Sequence, residues 1–521
     1  MSSTAGLAAA SVAAWAARGS RPARAIWSVS VSSRAIARHL LAAALLLPCA
    51  GCMVGPDFTS PSAPVAGKWL ESNNPSVDTR NQEYRDWWKV FHDPVLNRLI
   101  EIAYNQNLTL VSAGTKVLEA RAQLGVAIGE FYPQLQQGHG SVTYIRPGHA
   151  DTTQFPSGVT QNFWRDSLGL TVNWELDFWG KFRRAIESAD AAYLASIANY
   201  DYVLATLLGD VATTYIGIRT LQTQIEIARD NIVKQKKALA IAEAKYHGGT
   251  ATKLDVYQAE NVLGQTEAAI PQLTIQLNQG FNALAVLLGM SPQPMDPLLR
   301  GSSGIPVPPK TVAVGIPADL VRRRPDIRAA EALLHEASAR VGVATASLYP
   351  QITLSGTAGS LTTAIGNLLS GGTGFALLGA SLAQPLFHGG QLRAEKRAAV
   401  AAYEQAGGAY REVVLEGFRD VADTLSALDA DARSLHERAE ASSLARSAFE
   451  IASKRYDAGG VSLLEKLDAE RLMRSASLEQ IDAVADRLAD SAALFQALGG
   501  GWWAEPEDRT VAAQAPPPPA P

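Results

Sequence analysis

Cysteine, a residue that can carry covalent chemistry, occurs twice in the chain, at positions 49 and 52. A Cys-x-x-Cys spacing is typical of thiol–disulfide redox pairs, but no βαβ pattern of the thioredoxin type surrounds this one. The apolar run Leu40–Leu47 precedes the pair, and Ala50 and Gly51 stand directly before the second cysteine. A short apolar run followed by small residues is typical of a cleaved signal peptide, not of a transmembrane helix. We therefore predict a lipid on Cys52, as covalent diacylglycerol and palmitate, and keep the redox pair of Cys49 and Cys52 as the alternative.

Motifs of catalysis are missing from the sequence. It contains no HExxH, no phosphate-binding P-loop and no GxSxG elbow. The basic run Arg323–Glu331, RRPDIRAAE, has two interpretations. It is either a phosphate site or the start of a helix, with Pro325 at the first helical position and the arginines paired with neighbouring carboxylates. The helix start is favoured, and the sequence predicts no enzyme, no metal site and no cofactor other than the lipid.

The charge of the chain argues against a nucleic-acid partner. Lys and Arg number 46 and Asp and Glu number 50, which gives a net charge of −4. A nucleic-acid-binding domain normally has a basic excess, so this class is excluded. All five charged residues within positions 1–51 are arginines, so the remainder is more acidic still.

The sequence repeats itself after 210 residues. Tyr246–Asp255, YHGGTATKLD, corresponds to Tyr456–Glu465, YDAGGVSLLE. An earlier stretch, Glu119–Gln134, recurs in similar form as Glu336–Gln351. Two copies of about 200 residues indicate one duplicated architecture, because the period is too long for a short-repeat solenoid.

Each copy predicts one very long helix. No proline interrupts residues 157–270 or 386–505, and the candidate helices span 180–246 and 390–456. At about 1.5 Å per residue, each is about 100 Å long. Apolar residues recur in the second helix with alternating spacings of four and three, which is a coiled-coil seam: Val414, Phe418, Val421, Leu425, Leu428, Ala432 and Leu435.

Strand-like segments stand before each long helix. Leu168, Leu170 and Val172 alternate with polar or small residues, and Ile352 and Leu354 do the same in the second copy. Segments of about ten residues with one apolar and one polar face are typical of a membrane barrel with a wet interior. Four strands cannot close a barrel, and open edges are not tolerated in lipid, so the pattern predicts an oligomer. A soluble sandwich is the alternative.

Three motifs together carry a family resemblance: GCMVGPDF at 51–58, WWKVFHDPVL at 87–96 and RRPDIRAAE at 323–331. In this order, and with the duplication, they resemble the outer membrane factor family, the TolC-type exit ducts, and within it the NodT/OprM-type lipoproteins. The resemblance implies an α+β, TolC-like duplicated fold. It implies a trimeric 12-stranded transmembrane β-barrel, four strands per protomer, over a long α-helical coiled-coil tunnel in the periplasm.

The function implied is that of a passive outer membrane duct in a tripartite efflux system for drugs or small molecules. The implied partners are two further copies of the chain, a periplasmic adaptor, an inner-membrane pump of the resistance-nodulation-division type and outer membrane lipids. Two alternatives stay open: a duct for polypeptide secretion, and a periplasmic coiled-coil lipoprotein without a pore. The predicted organisation is a signal peptide at 1–51, a lipidated extended leader at 52–80, the first repeat at 81–300, the second repeat at 301–505 and a disordered Pro-rich tail at 506–521.

Two kinds of site are expected where the helices turn. Glycines permit a left-handed turn, and a leucine just beyond each turn offers an apolar knob for an adaptor; these residues are Gly248, Gly249, Leu254, Gly459, Gly460 and Leu464. The family's aperture motif, Leu-Asp-Ala-x-Arg, is matched by residues 467–471, which makes Asp468 and Arg471 candidates for a periplasmic gate. Tyr456 is expected to add a hydrogen bond, and Asp255 and Glu465 to make the mouth acidic. The alternative is that Asp468 and Arg471 form an ordinary exposed ion pair.

Overall fold

A computed structural model describes residues 53–62, 69, 77–78, 85–146, 162–301, 304–306, 312–313 and 323–501. Cys49, Cys52, the predicted signal peptide and the predicted tail lie outside the described residues. Within the described ranges, no helix combines the length and the hydropathy that a membrane crossing requires.

Two short helices open the first copy. After a 3-10 helix at Trp87–Phe91, helix α1 spans Pro94–Gln106 and helix α2 spans Leu108–Phe131. Helix α1 begins where the sequence provides both a proline at the first position and an N-cap: the Asp93 carboxylate accepts hydrogen bonds from two backbone N–H groups. The region therefore consists of one 3-10 helix and two α-helices.

The long helices follow the duplication closely. Two helices of 67 residues each pair with two of 35 residues, and each boundary in the second copy lies 210 residues after its counterpart. The predicted bounds of 180–246 and 390–456 are confirmed to within one residue. The bounds are α3 Lys181–His247, α4 Lys253–Leu287, α5 Pro325–Ala346, α6 Gln391–Asp457 and α7 Leu463–Ala497.

Four strands form one antiparallel sheet in the order β2-β3-β5-β6. Strands β2 and β3 come from the first copy, and β5 and β6 come from the second, so the sheet joins two hairpins through β3 and β5. Strands β1 and β4 are a separate parallel pair of two residues each. The bounds are β1 Val77–Asp78, β2 Leu135–Ile145, β3 Phe163–Leu176, β4 Val312–Ala313, β5 Gln351–Thr362 and β6 Gly374–Ala383.

The register sorts apolar from polar side chains. Leu170 stands opposite Gly138 on one side and Ala358 on the other, whereas its neighbour Thr171 stands opposite Gln137 and Thr357. Because successive side chains point to opposite faces, one face of the sheet is apolar and the other polar. Leu170 is 64% exposed and all ten residues of β6 are exposed, so neither this apolar face nor the β6 edge is covered within one chain.

The chain forms two compact units. The first takes in the described residues of Met1–Phe58, Ala122–Asp190 and Glu336–Tyr403, and it contains the four-stranded sheet. The second takes in those of Thr59–Arg121, Ala191–His335 and Glu404–Pro521. Val421 and Leu425 of the predicted α6 seam are buried in its core, together with Val211, Tyr215 and Ile218 of α3.

Candidate functional site

The turn between α3 and α4 and the turn between α6 and α7, here called the first tip and the second tip, are built alike. Gly249 has a φ of 75° and Gly459 a φ of 76°, the left-handed conformation that glycine adopts without strain. The following N–H groups, of Thr250 and Gly460, reach back to the carbonyls of Lys245 and Arg455 at 2.9 and 2.8 Å. Gly248 and Gly460 have no positive φ, so only one glycine in each predicted pair makes the left-handed turn.

A capping box starts the second helix of each tip. Thr252 caps α4 and exchanges hydrogen bonds with Asp255, while Ser462 caps α7 and exchanges them with Glu465. The Asp255 carboxylate accepts from the Thr252 backbone N–H at 2.8 Å, and the Glu465 carboxylate accepts from the Ser462 N–H at 3.2 Å. The two acids predicted to make the mouth acidic thus also hold the helix starts. The signal was present in the sequence, as Ser/Thr-x-x-Asp/Glu before an apolar run.

An apolar cluster brings the two tips together in the second unit. It consists of Ala242 from α3, Ala259 from α4, and Leu463 and Leu467 from α7, with Tyr456 of α6 packed against it. The predicted leucine knobs lie outside this cluster: Leu254 is 63% exposed and Leu464 is 57% exposed. Exposed leucines at the ends of both turns are suited to a contact with another protein.

Tyr456 interacts through its ring. The ammonium group of Lys245 lies 4.2 Å from the ring centroid, and that of Lys466 lies 5.1 Å from it. Cation–π contacts of this kind join α3, α6 and α7 at the tips. The two lysines carried no motif in the sequence, and the hydrogen bond expected of Tyr456 remains a prediction.

Asp468 and Arg471 form an ion pair on the exposed surface of α7, within the first three turns after the second tip. Arg471 Nη2 donates to Asp468 Oδ1 at 2.8 Å, and Nε donates to the same oxygen at 3.2 Å. More than half of each side chain is exposed. Within one protomer such a pair stabilises the fold by only a few tenths of a kcal/mol, about 0.2–0.5 kcal/mol for pairs at this spacing. Both groups therefore remain available to neighbours.

A buried polar contact that the sequence does not predict lies beside this pair. Glu470 on α7 is buried, and its carboxylate accepts a hydrogen bond of 3.0 Å from Gln235 on α3. The contact fixes α7 against α3 just above the tips, and it leaves Asp468 and Arg471 on the open side of α7. The two residues are 235 positions apart, and although Glu470 is the variable position of the Leu-Asp-Ala-x-Arg motif, nothing in the sequence indicates Gln235 as its partner.

Known proteins resemble this chain over most of its length. The family described as "Outer membrane efflux protein" matches residues 99–290 and 316–500, more than half of the chain. A pyoverdine export outer membrane protein, OpmQ, of Pseudomonas putida is 33% identical over 91% of this chain and 99% of its own. A probable outer membrane lipoprotein, SilC, of Salmonella typhimurium is 30% identical over 89% and 98%.

Solved structures agree with the sequence relatives. The outer-membrane channel OprN superposes with a TM-score of 0.81 at 32% identity, covering 87% of this chain and 100% of that one. The MtrE outer membrane channel of Neisseria gonorrhoeae in its open state superposes with a TM-score of 0.75 at 26% identity, covering 87% and 99%. The TolC-like duplicated α+β fold is thereby confirmed. The chain belongs to the outer membrane efflux protein family, and it is an outer membrane exit channel of an efflux system and not an enzyme.

Proposed function

We propose that the chain works as a homotrimer whose three sheets close into one 12-stranded barrel. The observation that carries this proposal is the single four-stranded sheet with exposed outer strands β2 and β6. A sheet edge in lipid leaves backbone N–H and C=O groups without partners, and each costs several kcal/mol. Joining β6 of one copy to β2 of the next pairs both edges.

The mass of the detergent-solubilised, full-length protein tests the trimer. We expect three copies per particle, together with a disulfide between neighbouring copies when one cysteine is placed in β2 and one in β6. A monomer that keeps its sheet in lipid would contradict the proposal.

The efflux role follows from the family, and the tips supply the second proposal. A periplasmic adaptor docks on the exposed Leu254 and Leu464 and links the trimer to an inner-membrane pump of the resistance-nodulation-division type. Relatives named for pyoverdine export and for solvent efflux differ in cargo, as expected if a wide passive duct leaves the choice of small molecule to the pump.

Site-directed crosslinking in cells tests the docking. Cysteines at Ala251 and Val461, one in each tip, are expected to crosslink to the adaptor. A cysteine at Val233, which is 54% exposed and lies 14 residues before the last residue of α3, is the control. Crosslinks at Val233 without any at the tips would contradict docking at the tips.

A third proposal concerns the anchor. Cys52 carries diacylglycerol and palmitate, supported by the apolar run and small residues before it and by a relative named a lipoprotein. Labelled palmitate is expected in the wild type and in Cys49→Ser, and it is expected to be absent from Cys52→Ser. Label that is lost in Cys49→Ser and kept in Cys52→Ser would contradict the assignment of the lipid to Cys52.

The last proposal is a gate. Around a threefold axis, Asp468 and Arg471 of each copy form rings of opposite charge that link neighbouring helices and keep the periplasmic end narrow. An acidic ring also favours cations and attracts divalent blockers. The exposure of both side chains on one face of α7 supports this proposal.

A further inference from the structure

The first turns of α7 bury one side of the helix against α3 and α4 in the second unit. Leu463 and Leu467 lie in the apolar cluster of the tips, and Glu470 follows them as a buried residue. With about 3.6 residues per turn, these three positions and Arg474 fall within about 60° of one another around the helix. The buried side of α7 therefore consists of two apolar residues followed by two charged ones.

Asp468 and Arg471, here called the gate pair, lie on another side of the same turns. They are displaced by about 100° around the helix from the buried side, and both side chains are more than half exposed. Because side chains reach about 5–6 Å from a helix axis, a rotation of α7 by about 30° would move the gate pair by about 3 Å. The rotation of α7 about its own axis thus sets the direction in which the gate pair points.

Two hydrogen bonds, here called the polar clamp, hold this rotation. Gln235 Nε2 of α3 donates to Glu470 Oε1 at 3.0 Å, and Arg474 Nη1 donates to Thr266 Oγ1 of α4 at 2.6 Å. Gln235 and Thr266 are both buried. Apolar contacts are non-directional, whereas hydrogen bonds weaken steeply when misaligned and a buried polar group without a partner is costly. The polar clamp therefore resists a rotation that the apolar cluster alone would allow.

The duplication separates the polar clamp from ordinary helix packing. The counterparts of its four residues, 210 positions away, are Glu260 for Glu470, Gly264 for Arg474, Ala445 for Gln235 and Ala476 for Thr266. Only Glu260 among these counterparts has a side chain that forms hydrogen bonds, and it is exposed. The counterparts of the gate pair are the uncharged Gln258 and Asn261. The polar clamp and the gate pair therefore occur together on α7, and α4 has neither.

We propose that Gln235 and Thr266 are positioning residues of the periplasmic gate, because the polar clamp fixes the rotation of α7 and thereby the direction in which the gate pair points. The consequence for conduction rests on the proposed gate. The fixed rotation of α7 is a property of the chain itself and is measured separately. Residues of α3 and α4, which contribute no charge to the gate pair, then determine how narrow the gate is.

The distance between spin labels on neighbouring copies tests the rotation directly. A genetically encoded spin label replaces Leu472, which is 50% exposed and follows the gate pair on α7, in the purified full-length trimer. Gln235→Glu sets two carboxylates against each other, and the distance between labels is expected to change by about 3 Å. Adding Glu470→Gln restores one donor and one acceptor, so the wild-type distance is expected to return.

A second variant tests the other half of the polar clamp without adding a charge. Thr266→Val keeps the shape of the side chain but removes the acceptor for Arg474, and a similar change in distance is expected. Glu479→Gln is the matched control, because Glu479 also lies on α7 and pairs with another helix through Arg438, but is exposed. It is expected to keep the wild-type distance. Wild-type distances in both Gln235→Glu and Thr266→Val, in trimers of correct mass, would overturn the proposal.

Single-channel conductance of the same trimers separates the polar clamp from the gate. The conductance is expected to be several-fold larger in Gln235→Glu and in Thr266→Val, and to return to the wild-type value when Gln235→Glu is combined with Glu470→Gln. A changed distance without a changed conductance would support the fixed rotation and contradict the gate itself. A larger conductance at the wild-type distance would contradict the polar clamp.

Discussion

Helices α2 and α5 occupy corresponding places in the two copies but differ in how much of them the chain covers. Both begin alike, since Leu110 in α2 and its counterpart Ile327 in α5 are buried. Further along, Ala339 of α5 is fully buried whereas its counterpart Ala122 in α2 is exposed. The sequences alone do not distinguish these positions, because both hold alanine.

A single protomer leaves apolar side chains of α2 exposed to solvent. Leu118 and Val126 of α2 are 64% and 63% exposed, so this apolar helix stands largely uncovered. Large apolar side chains on a surface of this extent indicate an interface with another molecule. In the proposed trimer a neighbouring copy covers α2, while the chain itself covers α5.

The largest expected effect comes from placing a charge at the two corresponding alanines. Ala339→Glu buries a carboxylate without a partner and costs several kcal/mol, so the protein is expected not to fold. Ala122→Glu adds a carboxylate that one protomer leaves in solvent, so the protomer is expected to fold and the trimer to be lost. Circular dichroism and native mass measure the two outcomes separately.

A stable trimer in Ala122→Glu would contradict this expectation, because it would mean that α2 is exposed in the assembly as well. Ala122→Ser is the control, since a small neutral side chain leaves the proposed interface intact.

A second difference between the copies is a carboxyl pair. Asp431 of α6 faces Asp490 of α7, where the first copy has Leu221 and Gly280. The pKa of Asp431 is raised to about 7, first by burial and then by a hydrogen bond with Asp490 and the negative charges of Asp490 and Asp486, against the opposing effect of Arg487. The proton is therefore held more tightly in the folded chain than in the unfolded one.

The proton on Asp431 makes the stability of the folded chain depend on pH. It stabilises the folded state fully below about pH 4, the ordinary range of an aspartate, and this stabilisation is lost as the pH rises to about 7. Asp431→Asn removes the ionisation, so its thermal midpoint at pH 8 is expected to exceed that of the wild type by about 2–4 °C for each kcal/mol gained.

The control for the pH experiment is Asp429→Asn, on the same helix but paired with the exposed Arg433. It is expected to keep the wild-type difference in thermal midpoint between pH 5 and pH 8. If Asp431→Asn also keeps the wild-type difference in thermal midpoint between pH 5 and pH 8, the pair of Asp431 and Asp490 does not cause that difference.

A smaller effect is expected from the turn glycines. Gly459→Ala forces a residue with a side chain into a φ of 76° and is expected to cost about 1 kcal/mol locally. Gly248→Ala is the control, because its counterpart in the second tip is already alanine, Ala458. Hydrogen exchange of the Gly460 amide, which donates to the Arg455 carbonyl, measures the local loss of stability in Gly459→Ala. Equal effects of the two substitutions would contradict the assignment of the left-handed position.

Periodicity and duplication were sufficient to predict the long helices. The heptad seam of α6 and the absence of proline placed its ends within one residue, since these signals are local and repeated over many turns. Alternation similarly predicted β3 and β5, whose pairing follows once both copies share a sheet.

Contacts between distant positions could not be read from the sequence. Arg184 donates to Asp57 across 127 residues, and Gln235 donates to Glu470 across 235. Asp57 and Glu470 lie in the motifs at 51–58 and 467–471, but neither motif indicates the distant partner. The uncovered state of α2 is equally invisible, because Ala122 and Ala339 differ only in what surrounds them. The capping boxes of Thr252 and Ser462, in contrast, are visible in the sequence as Ser/Thr-x-x-Asp/Glu before an apolar run.

We propose above that Asp468 and Arg471 of neighbouring copies close the duct at its periplasmic end. Single-channel conductance of the purified trimer in planar bilayers tests this gate. Asp468→Ala combined with Arg471→Ser costs the isolated protomer only about 0.2–0.5 kcal/mol, so folding and assembly are expected to be unchanged. We expect a small conductance for the wild type, a several-fold larger one for the double variant, and entry of large antibiotics into cells that carry the double variant. Equal conductance in a correctly assembled double variant would contradict the gate and leave Asp468 and Arg471 as an ordinary surface pair.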